Sequence, residues 1–134
     1  MPAPGLRAGF EALNISEQLN SVVEKLLGSA VWLDRDPDVL MAADQRSASG
    51  LKPAAKGKRE PKDCQIIETY FALCRRLRAE GFSRRAVFVS ANKSDFCAEG
   101  EPLTFHADLT GACSEGQIEF AVNFGHAISI LDRA

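Results

Sequence analysis

The run Ala86-Val87-Phe88-Val89, followed by Ser90-Ala91-Asn92-Lys93-Ser94-Asp95-Phe96, constrains this chain more than any other stretch. Four apolar, strand-favouring residues are too few for a helix and are bounded by turn formers, so they predict a buried strand. Ser, Asn and Asp then suit a turn. In an open parallel sheet, ligands gather beyond the carboxyl ends of the strands. Asn92 and Asp95 therefore stand where an α/β protein keeps its chemistry. A second segment, Lys62-Asp63-Cys64-Gln65-Ile66-Ile67-Glu68, sets another carboxylate at the start of a long helix.

The other elements follow from periodicity and punctuation. Ile15, Leu19, Val22, Val23, Leu26 and Leu27 recur at helical steps, with Asn14 and Glu17 as a capping pair and Gly28 as a stop. That stripe suits packing on the core or a homodimer interface. Pro37 opens a second helix to about Arg46, with Val39, Leu40 and Ala43 inward. Asp63 caps a third, to about Glu80, whose buried stripe is Ile67, Tyr70, Phe71, Cys74 and Leu77. A helix from His106 to Ser114, a strand from Ile118 to Val122 and a helix from His126 to Asp132 complete the series. Helices alternating with strands imply an α/β fold with a short parallel sheet flanked by helices. The length of 134 residues fits one domain, with residues 1–12 loose and residues 47–62 a flexible basic loop.

Charge is unevenly spread. Lys52 to Lys93 holds eleven Lys/Arg against four Asp/Glu, while the rest of the chain holds five against fourteen. A basic middle in an acidic protein suits a polyanionic partner, and a solvated face with balancing charges is the plain alternative. Lys58, Arg59, Lys62 and Lys93, with Ser90, are the candidate phosphate-binding residues. No aromatic interleaving supports base stacking. Cys64, Cys74, Cys97 and Cys113 form no Cys-x-x-Cys pair, which points to a reduced, cytoplasmic protein. Cys97, His106, Cys113 and His126 match no common zinc spacing. No secretory segment or membrane-spanning run is present, and no Gly-rich nucleotide loop.

Lys62-Asp63-Cys64-x-Ile66-Ile67-Glu68, Leu77-Arg78-x-x-Gly81-Phe82 and Val87-Phe88-Val89-Ser90-x-Asn92-x-x-Asp95-Phe96 together resemble the C-terminal two-thirds of a bacterial PIN-like domain. Gly116-Gln117-Ile118-Glu119-Phe120, Asn123 and Ala127-Ile128 extend the resemblance, which covers Ala43 to Leu131. It implies a three-layer α/β fold and a ribonuclease dependent on Mg²⁺ or Mn²⁺, of a kind that includes toxins paired with antitoxin proteins. It further implies a carboxylate cluster in which Asp63 is the Asp at a helix start and Asn92 or Asp95 follows the strand. The PIN pattern more often has Asp where Asn92 stands. Glu68, turned about 140° from Asp63 on an α-helix, is an outer-shell group or a surface residue. The first strand, with its nucleating Asp, is not found. Val31-Trp32-Leu33-Asp34 is the only apolar run ending in Asp, which makes Asp34 the remaining candidate ligand. A truncated frame, a degenerate domain or a partner supplying the strand would each account for the gap. The alternative function is thus a silent PIN-like module binding RNA or a protein.

Overall fold

The computed structural model describes residues 15–30, 33–100 and 103–133. The expected loose N-terminus, the Asn14 cap and Val31-Trp32 lie outside them. The chain divides into two compact units, Met1–Asp34 and Arg35–Ala134. The first carries helix α1 (Ile15–Ser29). Leu19, Val22, Val23, Leu26 and Leu27 on α1 are exposed, and nothing described within that unit covers them. Leu33 and Asp34, the described half of the apolar run ending in Asp34, adopt no strand.

The second unit contains α2 (Pro37–Ala48), α3 (Pro61–Ala79), β1 (Ala86–Val89), α4 (Lys93–Phe96), α5 (Ala107–Gly116), β2 (Ile118–Ala121) and α6 (Phe124–Leu131). α2 starts where the sequence predicts. Asp36 Oδ1 accepts the Asp38 N–H at 2.8 Å, and Pro37 supplies a helical φ at a position needing no donor. The cap of α3 falls at Glu60, three residues before the expected Asp63. Pro61 takes the first helical position and Glu60 precedes it, so Asp63 sits in the first turn rather than at the cap. Cys64, Ile67, Phe71 and Cys74 form its buried stripe, with Tyr70 and Leu77 half-buried beside it.

β1 and β2 pair in parallel, Ala86 opposite Ile118 and Val89 opposite Ala121. The ladder continues one step, where Ser90 N–H donates to Ala121 O at 2.9 Å. Helices cover both faces, as an apolar parallel pair requires. Phe88, Ile118 and Phe120 join Ile67, Phe71, Cys74, Leu109 and Cys113 on one side. Val87, Val89 and Ala121 meet Ala127 and Ile130 of α6 on the other. The α/β expectation with a short parallel sheet holds; among the described residues the sheet has two strands. Tyr70 reaches across to donate its hydroxyl to Val87 O at 2.7 Å, and burial pushes its phenol pKa up.

The basic loop between α2 and α3 is more anchored than a tether. Ala55 and Lys58 exchange N–H···O bonds of 3.0 and 2.9 Å, and Pro53 and Ala54 are buried. Gly50 closes the turn with φ +67°, and a Cβ there would stand 2.9 Å from Lys56 Cα. All four cysteines are free and buried. Burial raises each thiol pKa, that of Cys113 to about 12. No described helix is long and apolar enough to cross a membrane.

One buried polar atom is left over: the Ser47 hydroxyl, 3% exposed as a residue, has no partner among the described residues. A hydroxyl stripped of water and left unbonded lowers stability. Ser47→Ala should therefore be neutral or stabilising by up to about 1 kcal/mol. A urea midpoint lower than that of the parent would show that Ser47 is bonded after all.

Candidate functional site

β1 delivers its carboxyl end into a compact polar turn. Ser90 Oγ accepts the Asn92 N–H at 3.1 Å. The Asn92 amide then bridges forward, with Nδ2–H donating to Asp95 Oδ2 at 2.6 Å and Oδ1 accepting the Ser94 hydroxyl at 3.2 Å. Small polar side chains after a strand make such turns because they replace missing main-chain partners. Here Lys93–Phe96 winds into one helical turn, and Phe96 is buried beneath it. Asp95 is thus half-buried, with one carboxylate oxygen held by Asn92.

Asp63 stands in the first turn of α3. Its carboxyl pKa is raised, first by burial, then by the charges of Glu60 and Asp95, with Lys58 acting the other way. The Asp95 charge thus adds to the effect of burial and of Glu60 on Asp63.

The basic loop joins this turn through a residue that sequence reasoning did not single out. Lys52 Nζ donates to Ser94 O at 3.3 Å, and Lys52 N–H donates to Asp108 Oδ2 at 3.0 Å. Composition marked the loop as basic, but only the fold separates Lys52 from the other lysines. Lys58 Nζ lies 3.3 Å from Glu60 Oε1, a solvent-exposed pair of small energetic value. Arg59, Lys62 and Lys93 are exposed. Ser90 is half-buried and committed to the turn.

Glu68 does not join the acidic pair and is not a surface residue. It points into the protein, 9% exposed, and accepts Arg46 Nε–H at 2.7 Å. Its place in the fold is structural. Asp34 falls in the other compact unit. Among the described residues, no three His, Cys, Asp or Glu side chains converge as a metal site. His106 and His126 each use Nδ1 to accept a main-chain N–H, from Asp108 at 3.0 Å and Val122 at 3.2 Å.

Carboxylate oxygens are the donors that hard divalent cations take. Mg²⁺ is commonly held by one or two carboxylates, keeping water and substrate phosphate as its other ligands. Mn²⁺ accepts the same oxygen donors. Comparison with protein-family models, curated proteins and solved structures finds no match to this chain.

Proposed function

We propose that this chain is a PIN-like module that hydrolyses RNA phosphodiester bonds with Mg²⁺ or Mn²⁺. The observation that carries this reading is the polar turn at the carboxyl end of β1, where Asn92 holds the half-buried Asp95 carboxylate, together with Asp63 in the first turn of α3. Those two carboxylates would hold the cation, and Asn92 keeps Asp95 in place through its 2.6 Å hydrogen bond. When bound, the cation lowers the pKa of water and stabilises the leaving oxygen. Lys58, Arg59, Lys62 and Lys93 would hold the flanking phosphates by salt-sensitive contacts. Asp63 must be ionised to bind the cation, so binding weakens as pH falls through its carboxyl range.

The test is cleavage of mixed single-stranded RNA with Mn²⁺, with and without EDTA. Asp63→Asn and Asp95→Asn should each reduce the rate by about 100-fold or more, since each removes a direct ligand. No cleavage by a folded sample would sink the enzyme reading. Unchanged activity in both variants would assign it to another site or a contaminant.

Stability offers a second readout. A raised Asp63 pKa disfavours the ionised group in the folded chain. The resulting destabilisation grows as pH rises from the ordinary aspartate range through the raised pKa, and is absent below both. Asp63→Asn should therefore raise Tm slightly at pH ~7 and leave it unchanged in strong acid. Mn²⁺ should raise the parent Tm and not that of the variant. The reverse pattern would separate Asp63 from cation binding.

A second reading, a module that binds RNA or a protein without cutting, is favoured by the two-carboxylate count among the described residues. RNA retained by a folded chain that does not cleave it would support the RNA-binding form.

A further inference from the structure

The opposite ends of the same strands frame a different surface. Where β1 begins at Ala86 and β2 at Ile118, an open groove of about 660 Å³ is edged by Arg78, Arg84 and Arg85. That volume is within the range of small-molecule sites. Glu119 is its one acidic lining residue, and it lies 3.1 Å from Arg85 Nη1. That pair largely cancels.

Arg78 is committed differently. Its Nε–H donates to Gly116 O at 2.9 Å, its Nη1 group to Phe82 O at 2.9 Å and Arg84 O at 2.6 Å, and its Nη2 group to Gln117 O at 3.2 Å. Carbonyl dipoles fix the guanidinium without neutralising it. The Phe82 ring, 5.5 Å from its central carbon, holds it further. The Arg84 side chain has no hydrogen bond or ion pair among the described residues. Among the described residues two arginine charges therefore remain without a carboxylate, one of them rigid. The half-buried Phe105 ring and the buried Ile118 also line the groove, beside the hydroxyls of Thr104, Thr110 and Ser114.

A fixed cation, a second cation unpaired among the described residues and an aromatic ring in one groove match an anion joined to a planar ring. Guanidinium groups suit phosphate oxygens, and an aromatic face suits a base. We propose that this groove binds a nucleotide phosphomonoester, with the phosphate at Arg84 beside Arg78 and the base against Phe105. The source is either a free mononucleotide or the phosphorylated end of an RNA strand. The site is independent of Asp63 and Asp95.

The test is a titration followed by amide NMR shifts in low salt, with EDTA present throughout so that no divalent cation contributes. The probes are UMP, uridine and a 5′-phosphorylated uridine pentanucleotide. UMP should shift the Ser114 and Gln117 amides saturably, with uridine about tenfold weaker or worse. Arg84→Gln, an exposed substitution, should weaken UMP by about tenfold. UMP binding without the pentanucleotide makes this a small-ligand site. Arg84-dependent binding of the pentanucleotide at the same amides makes it a seat for an RNA end. Equal binding of UMP and uridine, shifts confined to Ser90–Asp95, no effect of Arg84→Gln, or no binding of either phosphate probe overturns the proposal.

Discussion

Arg46→Met is expected to destabilise the Arg35–Ala134 unit by about 3–5 kcal/mol, the loss typical when one partner of a buried ion pair is removed. Arg46 and Glu68 side chains are 12% and 11% exposed and meet at 2.7 Å. Arg46 Nη1 also donates to Lys52 O at 3.0 Å and Asp108 O at 3.4 Å, and the guanidinium lies 5.8 Å from the Phe71 ring centre. One side chain thus ties α2 to α3, to the basic loop and to the start of α5. Methionine keeps much of the length but leaves the Glu68 carboxylate without its counter-charge. Glu68→Gln retains an oxygen to accept the Nε–H and should be the milder change. The Arg46→Met/Glu68→Leu double variant should recover part of the loss, because no buried charge then lacks a partner. Urea denaturation followed by far-UV circular dichroism measures all three. If Arg46→Met is within ~0.5 kcal/mol of the parent, the pair is solvated in practice.

Phe88→Ala is expected to cost about 3–5 kcal/mol, as truncation of a core aromatic does. Phe88 is the central strand residue of the core. Its ring stands 5.4 Å from Tyr70, 5.0 Å from Phe96, 6.4 Å from Phe105 and 6.3 Å from Phe120. These rings come from α3, the turn after β1, the segment before α5, and β2. Alanine would leave a void that no single element can close. Phe88→Leu keeps most of the volume and should cost less, below about 1.5 kcal/mol with repacking. Because Phe96 packs on Phe88, Phe88→Ala should also loosen the Asn92–Asp95 turn and impair any cation binding there. Equal losses for Ala and Leu would mean the ring's geometry, rather than its volume, is what the core requires.

These two residues show where the sequence was readable. Phe88 lies in a short apolar run between turn formers, and that pattern alone predicted β1 and its burial. The α3 stripe was equally plain, since Ile67, Phe71 and Cys74 recur at helical steps. Parallel pairing followed from the order of elements. Arg46 and Glu68 were not legible, because their meeting depends on how α2 packs against α3, and a lone pair of opposite charges carries no period. The start of α3 was misplaced because Asp63 is a good cap by type, whereas Pro61 fixes the backbone two residues earlier. α4 was missed because one helical turn carries no measurable periodicity. At the candidate site, Asp63, Asn92 and Asp95 were named from spacing and resemblance. Lys52 was lost among similar lysines, because a main-chain oxygen 42 residues away selects it.

The four thiols turn the core into its own reporter. Alkylating and disulfide reagents attack the thiolate, and a buried, high-pKa thiol offers almost none. Labelling at neutral pH therefore waits for the chain to open. Cys74 and Cys113 lie in the main core and Cys64 in the smaller cluster with Ala43 and Ala54. Cys64 senses parting of the basic loop from α3, while Cys74 and Cys113 sense loss of the sheet's packing. The order in which these positions acquire label traces the sequence of local openings, without a probe being introduced.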